Sequence, residues 1–274
     1  LRRMIAPGRP LLLGSASPRR REILETLGLP LLVRAALADE SVLPGEAPLD
    51  YLARVTALKL AAVAELAAGA AVGAVLVADT TVILDGRSLG KPEGEAEALA
   101  MLGALSGRAH EVATRFALAS PAAPGRVLHA ETVVTRVLFR PLDAAAMAAY
   151  VATGEGRDKA GGYAIQGIGA FAVARIEGSY SNVVGLPACE VVAALLQTGL
   201  LAGFPLAPAP RAGCRPRPTP RRGRPSPAPP TRPRPACPKT PAPPACAAPA
   251  PGRRARATPA RARAPACARC VSTG

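Results

Sequence analysis

Along residues 1–204 the apolar positions switch repeatedly between a strand-like and a helix-like period. Leu11-Leu12-Leu13 is a short apolar run that meets a Gly14-Ser15 turn, and Ser17 and Pro18 then stand where a helix N-cap and first helical residue stand. Ile23, Leu24 and Leu27 carry that helix to a stop at Gly28, and Leu31–Val33 reads as a second short strand. From Leu49 to about Leu66 the positions 49, 52, 55, 58 or 62, 63 and 66 recur at helical spacing. Val72–Ala78 is continuously apolar between Gly69 and Asp79, the pattern of a strand buried on both faces, which places Asp79 at its C-terminal end. Val82-Ile83-Leu84-Asp85-Gly86 is hairpin-like, and Glu95–Leu105 is a helix ending at Gly107. Residues 110–120 and 127–140 form a long antiparallel pair, followed by a helix from Leu142 to Val151 that Gly154 ends. A strand at Phe171–Ile176, a polar loop at 177–182 and a closing helix from Pro187 to Leu201 complete an α/β pattern.

Charge divides the chain. The net charge is +15, yet residues 1–204 hold 19 basic and 19 acidic side chains, while residues 205–274 hold 15 basic ones and no acid. That tail also has 20 of the 31 prolines, five of the six cysteines and no aromatic residue. It cannot bury enough surface to offset its ordering entropy, so the expected organisation is an N-terminal extension (1–10), one domain (11–204) and a disordered Pro/Arg/Ala-rich tail (205–274). Met4 lies close behind the first residue, consistent with 1–10 being partly upstream sequence. The expectation for the tail's Arg/Pro/Ala/Cys-rich composition is that it reflects read-through or a shifted frame in GC-rich DNA. Its charge would support salt-dependent nucleic-acid contact, but it lacks stacking aromatics and any folding motif, which argues against that role. Cys267-Ala-Arg-Cys270 has redox or metal spacing without a second ligand pair and is read as chance. The domain has no apolar run of about 18 residues and no signal-peptide core, so it is expected to be cytoplasmic, with Cys189 as a small core residue.

The chemistry clusters in a few stretches. Arg19, Arg20 and Arg21 sit on the first turn of a helix, against the sign of its dipole, and therefore need an anionic partner. A polyphosphate explains Gly14 (backbone approach), Ser15 and Ser17 (hydroxyl donors) and Arg19 and Arg20 together. An exposed basic helix start paired with Glu22 and Glu25 explains them equally well. Asp39-Glu40 is an acidic pair that alone reads as solvated loop, and Lys59, beside the helical stripe, reads equally as a snorkelling lysine or a phosphate contact. Asp79 at a strand end and Lys91, between Gly90 and a Pro92 taken to start the next helix, rank higher. In Asp158–Gly167 the glycines permit close backbone approach, and Gln166 offers a donor and an acceptor to a base edge. His110 is read as structural.

The blocks SASPRRREIL (15–24), DES (39–41), ADT (78–80), GKP (90–92), LSGRAHEV (105–112), DKAGGYAIQG (158–167) and RIEGSYSNVVGLP (175–187) together resemble the Maf family of nucleoside triphosphate pyrophosphatases, also called septum formation inhibitors. The resemblance implies an inosine triphosphatase-like fold, an elongated mixed sheet with flanking helices and a central cleft, usually homodimeric. It implies hydrolysis of a nucleoside triphosphate between the α and β phosphates, with Mg²⁺ or Mn²⁺. Asp79 falls on the family's proton acceptor, with Lys59 and Lys91 as further catalytic groups and Ser15, Arg19 and Arg20 on the phosphates. Glu40, with Asp79, is assigned to the metal. Arg19, Thr80 and Gln166 fall on specificity positions, and the wording around Ser17–Arg20 and Tyr163–Gly167 is similar to the dTTP/UTP branch rather than the 7-methyl-GTP branch. A regulatory binding protein acting on septation is the alternative from a different class.

Overall fold

The computed structural model describes residues 4–35, 37–67 and 69–206, so the expectations for the tail beyond 206 lie outside the described residues. In chain order the elements are β1 (Leu11–Leu13), α1 (Pro18–Thr26), β2 (Leu31–Val33), α2 (Pro48–Ala67), β3 (Ala74–Leu84) and β4 (Arg87–Leu89). Then come α3 (Glu95–Leu105), β5 (Ala109–Ser120), β6 (Ala123–Phe139), α4 (Ala144–Ala152), β7 (Val173–Glu177), α5 (Tyr180–Val184) and α6 (Ala188–Gln197), with short 3₁₀ turns at Ala160–Gly162 and Ile168–Ala172. The strands form one mixed sheet in the order β2-β1-β3-β5-β6-β7, with β4 paired to β3. β1 pairs in parallel with β2 and β3, and the other ladders are antiparallel. This is the mixed sheet with flanking helices and a cleft that the family resemblance implied.

The apolar run at 74–78 sends alternate side chains to opposite faces of the sheet. Val75 and Val77 pack under α2 with Leu60, Val63 and Ala67, while Ala74, Leu76 and Ala78 pack with Leu24 of α1 and Val191, Ala194 and Leu195 of α6. A further core joins Leu102 and Leu105 of α3 to Phe139, Tyr150 and Tyr163. Burial on both faces accounts for the absence of polar residues from the run.

Several expectations need correction. β3 does not end at Asp79: its ladder with β5 continues through Asp79↔Arg115 and Thr80↔Thr114, because each polar side chain finds a partner on its own face of the sheet. The 177–182 loop contains the start of α5, whose Ser179 N-cap accepts from the Asn182 backbone N–H at 3.3 Å. The strand before it runs Val173–Glu177, and Pro92 precedes α3 by three residues instead of starting it. The closing helix stops at Gln197, before Gly199 turns the chain at φ +67°. Cys189 is exposed, not core. On α6 the buried positions are 191, 194 and 195, and a residue two before 191 lies about 200° round the helix.

Candidate active site

The floor of the cleft begins with two neighbours on β3. Asp79 is on the α2 side and Thr80 on the α1 side, by strand alternation. α2 buries Leu52, Val55, Lys59, Leu60 and Val63 along one face, which draws the Lys59 stem into the protein and carries its ammonium to the sheet. There Lys59 Nζ donates to Asp79 Oδ1 at 2.6 Å and pairs with Glu40 Oε1 at 2.8 Å. Asp79 and Lys59 are both buried, whereas Glu40 is largely open to the cleft mouth. The acidic pair at 39–40 is therefore split: Asp39 closes a local turn by accepting from the Ser41 N–H at 2.9 Å, and Glu40 joins the lysine. Tyr51 also lines the cleft, and burial, together with the charges of Asp79 and Glu40, raises its phenol pKa.

The two arginines at the start of α1 are not equivalent. Arg20 is buried, and three neutral oxygens hold its guanidinium: the Gly185 carbonyl at 2.8 Å, Ser15 Oγ at 3.1 Å and Thr80 Oγ1 at 3.0 Å. Thr80 Oγ1 in turn lies 2.9 Å from Thr114 Oγ1. Burial lowers the Arg20 pKa, partly offset by Asp79. Because these acceptors carry no charge, they fix the group without neutralising it, and its field extends into the cleft. Arg19 is partly exposed and reaches Asp158 Oδ2 at 3.5 Å. Only Arg21 follows the surface reading, paired with Glu25 at 3.5 Å. Gly14 is explained by packing: its N–H donates to Leu76 O at 2.8 Å, and a Cβ there would strike Val63 and Val77.

The opposite wall is made by residues 155–169 and by Gly90-Lys91. The Gly161 N–H donates to Gly90 O at 2.9 Å, tying the wall to the segment that carries Lys91. Lys159 Nζ donates to Asp158 Oδ1 at 2.5 Å and to Glu155 O at 2.6 Å, and this bond to Lys159 holds the Asp158 carboxyl below its usual range. Tyr163 is a buried part of the same wall. Its hydroxyl lies 2.8 Å from Nε2 of His110, which is packed edge-on against Phe139 and Tyr163. Burial lowers the His110 imidazole pKa to about 4, so it is neutral at physiological pH, in keeping with a structural residue.

A single cleft of about 600 Å³ is lined by Ser15, Arg19, Arg20, Glu40, Lys59, Asp79, Thr80, Lys91 and Gln166, which brings every candidate site residue together. It also recruits Tyr51, Asp158, Lys159 and Tyr163, which the sequence reading had not assigned to the site. Asp158 and Lys159 sat inside a quoted motif, but which of them faced the cleft depends on the 3₁₀ turns that follow. Among the described residues no helix is long and apolar enough to cross a membrane.

The dTTP/UTP pyrophosphatase of Moorella thermoacetica is 52% identical over 182 residues, covering 66% of this chain and 91% of the relative. Those of Citrifermentans bemidjiense and Geobacter sp. strain M21 are 48% and 49% identical over 191 residues, covering 70% of this chain and 96% of each relative. A solved nucleoside-triphosphatase / dITP/XTP pyrophosphatase of Mycobacterium abscessus aligns at 15% identity and a TM-score of 0.29, over 49% of this chain and 74% of that one, a likeness too slight to bear on the site. The model of the Maf-like protein family matches residues 10–198, from the start of β1 to the end of α6, and this chain belongs to the Maf family.

Proposed function

We propose that the cleft hydrolyses the α–β phosphoanhydride of dTTP and UTP, and of related modified pyrimidine nucleotides, to the monophosphate and pyrophosphate, a house-cleaning activity. The observation that carries the reading is the buried Lys59–Asp79 pair, joined by Glu40 from the cleft mouth, in one cleft with Ser15, Arg19, Arg20 and Lys91. Relatives about 50% identical over nearly their whole length, named as dTTP/UTP pyrophosphatases, support the choice of substrate.

In this mechanism the cations receive the triphosphate. Arg20, fixed in advance, contributes without reorganising, which is the condition under which an electrostatic contact favours a transition state. Arg19 exchanges its exposed partner Asp158 for phosphate oxygens, and Lys91 meets the chain of phosphates from the other wall. Lys59 occupies one of the roughly four lone-pair sites of the Asp79 carboxylate, leaving the others for a water. Asp79 takes the proton as that water attacks the α phosphorus in line, the bond to the bridging oxygen breaks, and pyrophosphate leaves with the electron pair. Gln166 reads the base, and Thr80 and Arg19 share with it in setting the substrate preference.

A divalent metal is part of the reading. The donor set offers two carboxylates, Glu40 and Asp79, brought together on the Lys59 ammonium. Oxygen donors of this kind suit Mg²⁺ or Mn²⁺, which bind through one or two carboxylates completed by substrate phosphates. When bound, such an ion neutralises charge on the phosphates and the leaving group. The reading also includes a cytoplasmic homodimer.

The test is pyrophosphate release by the full chain with Mg²⁺ across dTTP, UTP, 5-methyl-UTP, 7-methyl-GTP, ITP and ATP. Turnover concentrated on dTTP and UTP supports the reading. Turnover concentrated on 7-methyl-GTP or ITP overturns the substrate assignment, and none at all favours a nucleotide-regulated binding protein.

A further inference from the structure

The turn that carries Gln166 is held from behind by a carboxylate that does not line the cleft. Glu155 Oε1 accepts from the Ile168 N–H at 2.9 Å, and its Oε2 accepts from the Gly169 N–H at 2.8 Å. Two parallel charge-assisted bonds to adjacent backbone groups fix both the position and the orientation of a peptide segment. Gly167, between this anchor and Gln166, sits at φ +83°, and a Cβ there would run into the Glu155 carboxylate. Two residues before Gln166 a second anchor acts from α4: the Tyr150 hydroxyl accepts from the Ala164 N–H at 3.0 Å. Burial pushes the Glu155 carboxyl up, but the Gly169 and Ile168 N–H groups, with Tyr150 and Lys159, hold it below its ordinary value. Gln166 itself is only half-buried, so its placement depends on the backbone at either side.

The mechanism above uses neither Glu155 nor Tyr150. We propose that Glu155 is a positioning residue for base discrimination, one that holds the Gln166 amide at the distance where it can read a pyrimidine edge without itself touching substrate. The proposal rests on Gln166 being the base-reading group. Glu155 also links the two recognition ends of the cleft, because its carbonyl accepts from Lys159, which in turn holds the Asp158 carboxylate beside Arg19.

The experiment compares UTP and CTP as substrates of the full chain, wild type against Glu155→Gln, with inorganic tripolyphosphate as an inhibitor that engages only the phosphate-binding groups. In Glu155→Gln an amide NH₂ opposes one of the two backbone donors. The expected result is a KM for UTP raised about tenfold with kcat within about threefold, and a UTP-to-CTP preference narrowed by a similar factor. Inhibition by tripolyphosphate stays within about twofold, and in a Gln166→Ala background Glu155→Gln leaves the UTP-to-CTP ratio where it was. Gly167→Ala, which presses on the same carboxylate from the other side, narrows the preference in the same direction and serves where Glu155→Gln fails to fold. An unchanged UTP-to-CTP ratio in either folded variant, or an effect of Glu155→Gln that persists in full without Gln166, overturns the proposal. A wild-type chain that binds UTP without releasing pyrophosphate overturns the functional reading instead, and the ratio is then taken from equilibrium binding of the two nucleotides.

Discussion

The floor and the wall of the cleft are built in opposite ways. On the floor, Asp79 and Thr80 come from the middle of a strand and Lys59 from the middle of a helix, and side chains hold one another through buried ion pairs and neutral acceptors. On the wall, the chain turns through Gly161, Gly162 and Gly167 at positive φ, and backbone N–H groups are held by Glu155 and Tyr150. A floor of interlocked charges suits chemistry, where an error of a fraction of an ångström is costly. A wall shaped by its backbone can be re-formed for another base without disturbing the reacting groups. On the proposed roles, Thr80 and Arg19 excepted, turnover rests on the floor and base choice on the wall, and mutation is expected to separate the two.

The largest effect expected is on the floor. Asp79→Asn lowers pyrophosphate release about a thousandfold, some 4 kcal/mol of barrier, while nucleotide binding persists and the ranking of bases is unchanged. A change in ranking would break the separation. Next, His110 ties the wall to the sheet through Tyr163 and gives stability a pH dependence. Its pKa is near 4 in the fold and 6.5 when free, so the unfolded chain takes the proton first. The contribution of the neutral imidazole is complete above pH 6.5 and is lost as pH falls to about 4, about 3 kcal/mol in all, measurable by urea unfolding at a series of pH values. His110→Phe flattens that profile. Arg20→Gln leaves buried oxygens unpaired and costs about 2–3 kcal/mol in the same assay. Arg19→Ala raises KM about tenfold, yet changes stability by less than about 0.5 kcal/mol, because its partner Asp158 is exposed.

Periodicity reveals most of the fold. The helices at 48–67 and 95–105 were legible because each buries a regular stripe, the helix at 18–26 from its Ser-Pro start and Gly28 stop, and the long β5–β6 pair from its apolar, β-branched runs either side of a Pro/Gly turn. The sheet order was not, since a run such as Leu11–Leu13 has no feature naming β2 and β3 as its neighbours. At the site, residue types in quoted blocks pointed to the cleft, but partnership is a matter of three dimensions. Nothing local separates Arg19 from Arg20, and only the packing of α1 against α5 and β3 decides which is buried. Asp79 was misread as a strand end because a polar residue ordinarily interrupts a buried run, whereas here the partner waits on a helix twenty residues back. Glu155 left no trace in the pattern, since its role is to receive backbone donors.

The alternation along β3 also constrains how the gene can change. Asp79 meets Lys59 on one face and Thr80 meets Arg20 on the other, with the ladder to β5 fixing both. Adding or deleting one residue between 74 and 79 would exchange the two faces, sending the carboxylate toward a guanidinium cage and the threonine toward the lysine. Substitution can explore this strand, but insertion and deletion cannot. Length variation is left to connections such as the β5–β6 hairpin tip near residues 121–125, where the register is already irregular.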